Sequence, residues 1–199
     1  MAVYTKISKK DISYINKKFE VDKILNFKGI KQGIENTNYL LRSKNKKFIL
    51  TIFEKRVSKK EIPFFMKLMD QLNDSEINCP KPLKNKSGNY LIRIRNKIAC
   101  IVSFLNGKDK KILNLKNCYD IGKMIAQMHL SSKKINLYRK NSMGIKNLNP
   151  LFNSIKFKSK KFTNIEKFLK TNFKDIKIKW PKRLPSGIIH GDLFIDNIF

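Results

Sequence analysis

The spacing of hydrophobic residues changes once along this chain of 199 residues. Up to about residue 104, short apolar segments alternate with polar residues or run continuously, as strands do. Beyond the segment 103–107, apolar residues recur at helical spacing instead. This order predicts an α+β fold with two lobes, an antiparallel β-rich N-terminal lobe over 1–104 and a helical C-terminal lobe over 105–199.

The N-terminal lobe is predicted to carry two helices among its strands. Ser8 and Asp11 form a capping box that opens a helix ending near Phe19. A second helix follows Glu61, with Pro63 in its first turn, where proline is tolerated. The strands are expected at Ile24–Ile34, Asn38–Arg42 and Lys47–Phe53, and in a hairpin of Asn89–Ile94 with Ile98–Phe104.

The C-terminal lobe is predicted to be mainly helical. One helix carries an apolar face, and another spans Pro150–Phe173, with Phe152, Ile155 and Phe162 as candidate core residues. Gly187–Ile189 is expected to form a short strand. The residues expected on the apolar face of the first helix are Leu115, Cys118, Gly122, Ile125 and His129, widened by Ile121 and Met128.

The chain is strongly basic, with 44 Lys and Arg against 15 Asp and Glu and a formal net charge of +29. Such a charge raises the hypothesis of a nucleic-acid-binding protein. The basic residues, however, are spread evenly along the chain, and Lys far outnumbers Arg, the residue best suited to bidentate base contacts. Lys, Ile and Asn are all common and have AT-rich codons, so we interpret most of the charge as compositional background.

Cysteine usage and hydropathy predict a cytoplasmic protein. The chain has 3 cysteines, an odd number, at positions without metal-ligand spacing. These fit a reducing compartment better than a disulfide framework. The N-terminus lacks the apolar core of a signal peptide, and no apolar run approaches the roughly 18 residues of a membrane span.

The last ten residues contain the pattern that most directly indicates a chemical function. His190-Gly191-Asp192-Leu193-Phe194-Ile195-Asp196-Asn197 places an aspartate and an asparagine five positions apart after an apolar segment. Phosphoryl transfer needs a carboxylate to accept the proton of the attacking hydroxyl, and oxygen ligands for the Mg²⁺ that accompanies ATP. Asp192 is therefore the candidate catalytic base, Asn197 the candidate metal ligand, and His190 a candidate to hold the loop. The alternative is that these residues only shape a turn.

The segment 190–197 resembles the catalytic loop of the aminoglycoside phosphotransferase-like kinases. Other segments resemble, more narrowly, the homoserine kinases of that fold, and the similarity covers the whole chain. The segments that carry this narrower resemblance are Gly33-Ile34-Glu35-Asn36-Thr37-Asn38-Tyr39-Leu40-Leu41, Thr51-Ile52-Phe53-Glu54-Lys55-Arg56, Ile62-Pro63-Phe64-Phe65, Cys79-Pro80-Lys81-Pro82 and Phe104-Leu105-Asn106-Gly107.

This resemblance implies ATP- and Mg²⁺-dependent phosphorylation of the L-homoserine hydroxyl, giving O-phospho-L-homoserine on the route to threonine. It also implies a protein-kinase-like fold and a loop over the ATP phosphates that includes Gly33, Asn36, Thr37 and Asn38. Ser103 and Leu105 would belong to a hinge that meets the adenine edge. Without the resemblance, Gly33 is as well explained by an ordinary β-turn, and the hinge by a plain linker.

The chain departs from the resembled pattern in two places. Thr51 stands where many of these kinases place a basic residue on the third strand, and Lys47, Lys55 or Arg56 could supply the charge instead. A second metal-binding aspartate is expected downstream of Asn197, but the sequence reaches only Phe199. We therefore expect the sequence to be the N-terminal part of a longer enzyme, and not to use Mg·ATP productively by itself.

Three other functions stay open at this point. The first is a kinase of the same superfamily that acts on choline, an aminoglycoside or a sugar, because the catalytic loop does not specify the acceptor. The second is a basic nucleic-acid-binding protein. The third is a pseudokinase, which the presence of both Asp192 and Asn197 disfavours. The partner expected from the favoured reading is a small-molecule substrate, with no membrane and no specific nucleic acid.

Overall fold

We describe residues 3–31, 35–54, 58–107, 112–154 and 163–198 in a computed structural model of the chain. Strands dominate the first half of the described residues and helices the second half, as the sequence predicts. The elements are α1 (Lys9–Lys18), β1 (Asn26–Gly29), β2 (Thr37–Arg42), β3 (Lys47–Ile52), α2 (Ile62–Asp74), β4 (Leu91–Ile94), β5 (Lys97–Ser103), α3 (Leu115–Ser132), α4 (Ile145–Ser154), α5 (Thr163–Lys179) and a 3-10 turn (Ile195–Asn197).

The chain divides into two compact units. The first unit comprises Met1–Leu137 and Gly187–Phe199, and the second comprises Tyr138–Ser186. The first unit therefore contains the sheet, α1 to α3 and the segment 190–197. The boundary near residue 104 that the sequence suggests between two lobes stays a prediction.

The strands of the described residues form one antiparallel sheet in the order β1-β2-β3-β5-β4. Side chains alternate between its two faces, as strand geometry requires. On β3, Phe48, Leu50 and Ile52 are buried, whereas Ile49 and Thr51 on the other face are half-buried. The predicted strand Lys47–Phe53 is thus confirmed, with its last residue outside the strand.

The core of the first unit lies between the sheet and α1. Ile12, Ile15 and Phe19 pack with the buried face of β2 and β3. The predicted capping box is present, because the Ser8 N–H donates to the Asp11 carboxylate at 2.7 Å. Arg95 also donates to the Asp11 carboxylate at 2.9 Å, which connects the start of α1 to the turn between β4 and β5.

The other face of the sheet is covered by α2. Ile62 and Met66 pack against Cys100 and Val102 of β5. Pro63 lies in the first turn of α2, as predicted, where it removes no intrahelical hydrogen bond. The helix α2 begins directly after the turn formed by Ser58–Glu61. It packs on the face of the sheet that carries Ile49 of β3.

The predicted hairpin is confirmed as β4 and β5 joined by Arg95 and Asn96. Both turn residues have positive φ, 49° and 63°. Two positive φ angles in a two-residue connection are typical of the type I′ turn, whose twist matches that of paired strands. Asparagine tolerates this conformation better than most residues, so Asn96 suits its position.

The predicted apolar face of α3 is partly wrong. Leu115 is 90% exposed, and Cys118 and Gly122 are exposed as well. The predicted residues Ile121, Ile125, Met128 and His129 are half-buried, as expected. Leu115 is the first residue of the helix, where the half-buried stripe has not yet begun, so its apolar character misled the choice of face.

The second unit is built from α4 and α5. Phe152 of α4 stacks on the buried Phe173 of α5, with ring centroids 4.0 Å apart. Helical structure begins at Ile145 rather than at Pro150, so Pro150 lies inside a helix, an unfavourable position that the prediction avoided. The candidate core residues Ile155 and Phe162 lie outside the described residues.

Gly187–Ile189 is not a strand, and Ile189 is 67% exposed, because no strand among the described residues pairs with it. No helix in the described ranges is long and apolar enough to cross a membrane.

Candidate active site

The candidate catalytic residues Asp192 and Asn197 lie close together in an exposed turn. The Asn197 side-chain amide donates to the Asp192 carbonyl oxygen at 2.8 Å and to its Oδ2 at 3.3 Å. Gly191 has a φ of 76°, a conformation that glycine adopts readily, and it forms the bend before Asp192. The 3-10 turn Ile195–Asn197 then returns the chain toward Asp192.

His190 contacts the same turn through its ring. The Asp192 N–H donates to His190 Nδ1 at 3.4 Å. An imidazole that accepts this bond orients the backbone on which the Asp192 carboxylate is carried. This arrangement agrees with the sequence-based interpretation that His190 holds the loop.

The turn offers oxygen atoms of the kind that Mg²⁺ prefers. Asn197, the candidate metal ligand, contributes an amide oxygen, and Mg²⁺ in phosphoryl-transfer sites commonly binds one or two protein oxygens together with substrate phosphates. Within the described ranges, no group of three or more His, Cys, Asp or Glu side chains could hold a metal ion.

The predicted phosphate loop is tied to the end of β3 by three consecutive side chains. Asn36 Oδ1 accepts from the Glu54 N–H at 3.4 Å. Thr37 Oγ1 donates to Glu54 Oε1 at 2.7 Å, and Asn38 Oδ1 accepts from the Thr51 hydroxyl at 2.8 Å. Gly33 lies outside the described residues. The side chains of Asn36, Thr37 and Asn38 thus all bond to protein partners on or next to β3.

Glu54 is the centre of this arrangement, although sequence reasoning did not select it. Its carboxylate also accepts from Thr5 Oγ1 at 2.7 Å and forms an ion pair with Lys97. Thr37, which is fully buried, further accepts from the N–H groups of Tyr4 and Thr5 at 3.0 and 3.1 Å. One carboxylate therefore connects the N-terminal segment, β2, β3 and β5.

The electrostatics of Glu54 favour its charged form. Burial by itself would raise the pKa of the carboxyl, but hydrogen bonds from Lys97, Thr37 and Thr5, with the charge of Lys97, hold the pKa below its ordinary value. The Glu54 side chain is 9% exposed. In the sequence, Glu54 belongs to a segment that carries the family resemblance, and Lys97 is one of many lysines. Neither hydrophobic periodicity nor composition therefore identifies the Glu54–Lys97 pair.

The third-strand position Thr51 uses its hydroxyl within the sheet, by donating to Asn38. Of the basic residues that could replace a lysine there, Lys47 places its Nζ 5.4 Å from the centre of the Phe104 ring. Lys55 and Arg56 lie outside the described residues.

The predicted hinge begins where β5 ends. The Ser103 N–H donates to the Lys81 carbonyl, and the Ser103 hydroxyl accepts from the Lys81 N–H, both at 2.9 Å. Phe104 donates to the Lys47 carbonyl at 3.3 Å, and Leu105 is half-buried beyond it. Lys81, which sequence reasoning did not select, thus fixes the first residue of the hinge.

Comparisons with known proteins found a matching family and curated relatives. Residues 26–199 match the phosphotransferase enzyme family. The whole chain is 34% identical to a homoserine kinase of Parvibaculum lavamentivorans over 200 residues, and 36% identical to one of Paramagnetospirillum magneticum. The chain spans 62% and 61% of the length of these two relatives.

Solved structures show the same fold at low sequence identity. A spectinomycin phosphotransferase in complex with ADP and spectinomycin superposes with a TM-score of 0.65 at 14% identity, covering 97% of this chain and 65% of that one. A microcompartment-associated aminopropanol kinase gives a TM-score of 0.54 at 14% identity, over 72% of this chain and 48% of that one. The predicted α+β, protein-kinase-like fold is thereby confirmed.

Proposed function

Since the chain belongs to the phosphotransferase enzyme family, we propose that it takes part in the ATP-dependent phosphorylation of the side-chain hydroxyl of L-homoserine. The product is O-phospho-L-homoserine, a precursor of threonine. The convergence of Asp192 and Asn197 in one exposed turn carries the proposed chemistry. The curated relatives named homoserine kinase support the choice of acceptor.

Asp192 acts as the base in this proposal. Its exposed carboxylate accepts the proton of the acceptor hydroxyl as the hydroxyl oxygen bonds to the γ-phosphorus of ATP. The bond between the γ-phosphorus and the β–γ bridging oxygen breaks, and ADP leaves. The hydrogen bonds from Asn197 and the contact with His190 keep the carboxylate at a fixed place on the turn.

Asn197 is the proposed Mg²⁺ ligand through its side-chain oxygen. The amide nitrogen of Asn197 donates to Asp192, which turns the amide into a defined orientation. When bound, Mg²⁺ neutralises charge on the ATP phosphates.

The proposed nucleotide site uses backbone groups. The side chains of Asn36, Thr37 and Asn38 are engaged with Thr51 and Glu54. We therefore assign contacts with the phosphates to backbone N–H groups of the segment 33–38, which runs into the start of β2. Successive backbone N–H groups can form an anion-binding concavity. Gly33 belongs to this assignment as a position that allows close approach.

The adenine edge is assigned to the hinge at Ser103 and Leu105. The Ser103 N–H is bonded to Lys81, so Ser103 would contribute its carbonyl oxygen. Leu105 would contribute its backbone and one apolar contact.

The proposal places the enzyme in the cytoplasm, because Cys79, Cys100 and Cys118 are all described and all free thiols.

The test is a panel of acceptors supplied with Mg·ATP to the protein as the gene encodes it. We expect L-homoserine to accept phosphate at rates of roughly 1–100 per second, with choline, a sugar and spectinomycin at background. Turnover with one of these and not with homoserine would overturn the acceptor but keep the kinase.

A further inference from the structure

We infer that Glu54 is a positioning residue that sets the affinity for ATP by holding residues 36–38, where the predicted phosphate loop runs into the start of β2, in their binding conformation. The inference rests on the proposed function, because it takes that loop to meet the phosphates. It begins from the hydrogen bonds that converge on Glu54 from two sides. The Glu54 carboxylate accepts a hydrogen bond from the Thr37 hydroxyl, and the Glu54 backbone N–H donates to Asn36 Oδ1.

The carboxylate is itself held rigidly. A carboxylate only accepts hydrogen bonds, and that of Glu54 receives them from Thr5, Thr37 and Lys97. These donors belong to the N-terminal segment, the start of β2 and the start of β5. With a side chain 9% exposed, Glu54 has little freedom to move, so its partners in the loop are fixed relative to the sheet.

A loop fixed before the ligand arrives binds more tightly than one that must be ordered on binding. Ordering costs conformational entropy that is subtracted from the affinity. Because Asn36 and Thr37 are bonded to Glu54 within the folded chain, part of this cost is met during folding. Loss of the Glu54 carboxylate transfers part of that cost to ATP binding.

Asp11 provides a matched control within the same unit. Like Glu54, it is a mostly buried carboxylate with a basic partner, Arg95 at 2.9 Å, and a hydroxyl partner, Ser8 at 2.8 Å. Hydrogen bonds to Asp11 connect the cap of α1 with the β4–β5 turn. None of the bonds described for Asp11 reaches residues 36–38, so its loss removes a comparable ion pair without releasing the loop.

The experiment compares Glu54→Gln, Asn36→Ala and Asp11→Asn in the protein as the gene encodes it. We expect Glu54→Gln to raise KM for ATP about tenfold, equivalent to roughly 1.4 kcal/mol, with KM for homoserine unchanged. Asn36→Ala, which leaves the buried charges intact, should raise KM for ATP less and leave the melting temperature unchanged. Asp11→Asn should lower the melting temperature and leave KM for ATP unchanged.

Hydrogen–deuterium exchange at residues 35–38, measured without nucleotide, separates this inference from the proposed function. Faster exchange in Glu54→Gln but not in Asp11→Asn shows that Glu54 holds residues 36–38 in place. A wild type that fails to bind a fluorescent ATP analogue would instead show that the proposed function is wrong. Equal exchange, and equal KM for ATP, in the two variants would overturn the inference. If Glu54→Gln does not fold, an Asn36→Ala variant identical to wild type in both measurements overturns it.

Discussion

Asn197 donates its side-chain amide to the carbonyl oxygen of Asp192 at 2.8 Å and to the Asp192 carboxylate at 3.3 Å. The residue proposed to bind the metal therefore also orients the residue proposed to accept the proton. Five positions of chain suffice for both roles because Gly191 bends the backbone and a 3-10 turn brings Asn197 back. A segment as short as 190–197 can therefore bring together the two side chains that the proposed phosphoryl transfer requires.

Replacing Asn197 with alanine is expected to raise the Mg²⁺ concentration needed for half-maximal activity about tenfold or more. The change removes the proposed oxygen ligand and both hydrogen bonds to Asp192, and a hydrogen bond to a charged group contributes about 1.5–3 kcal/mol. A Mg²⁺ titration at fixed ATP measures the effect. Asn45→Ala, at an exposed position, is the control. An unchanged Mg²⁺ requirement in Asn197→Ala would show that Asn197 is not a ligand.

Replacing Leu50 with alanine is expected to lower the free energy of unfolding by about 2–5 kcal/mol. Leu50 is fully buried on the face of β3 that packs with α1, so its truncation leaves a cavity. Leu25, which is 65% exposed, should tolerate the same change within about 0.5 kcal/mol. Urea denaturation measures both variants, and equal losses would contradict the described core.

The stabilising effect of Glu54 is expected to depend on pH. The pKa of Glu54 is lowered in the folded chain from an ordinary value of 4.5, so protonation is harder in the folded state than in the unfolded state. Its contribution is therefore complete above about pH 4.5 and is lost as the pH falls through the folded pKa. The difference in free energy of unfolding between wild type and Glu54→Gln should shrink from pH 7 toward pH 3. A constant difference would argue against a charged Glu54.

The melting temperature is expected to depend strongly on which residue occupies position 96 in the β4–β5 turn. Asn96 has a φ of 63°, where a β-branched side chain costs roughly 1–2 kcal/mol. Asn96→Val should therefore lower the melting temperature, whereas Asn96→Gly should preserve or raise it. Thermal unfolding followed by circular dichroism distinguishes the two. A valine variant as stable as the glycine variant would mean that the turn has a different conformation.

Particular elements show what the sequence could and could not predict. The buried strand β3, the capping box at Ser8 and the hairpin turn at Arg95–Asn96 are local signals, and each was predicted near its observed position. The start of α4 was missed because Pro150 is unfavourable inside a helix, and only its surroundings explain its place there. The exposed Leu115 shows the same limit, since burial depends on which neighbours a helix meets.

The candidate site divides in the same way. Asp192 and Asn197 were predicted together because their spacing is local and their chemistry is specific. The partners of the loop, Glu54 and Lys97, are separated by 43 positions and meet only through the pairing of β3 with β5. An acidic residue at a strand end and one lysine among many carry no local signal of that contact. The contact between Glu54 and Lys97 is therefore visible only in the folded structure.

The most direct test of the account is the rate of phosphoryl transfer from ATP to L-homoserine by an Asp192→Asn variant of the protein as the gene encodes it. The substitution keeps the size of the side chain and its ability to accept a hydrogen bond from Asn197, but removes the basic carboxylate. We predict a fall in kcat of about 10²- to 10⁴-fold, the usual contribution of a general base, with KM for ATP little changed. Retention of wild-type kcat by Asp192→Asn would contradict the assignment of Asp192 as the base.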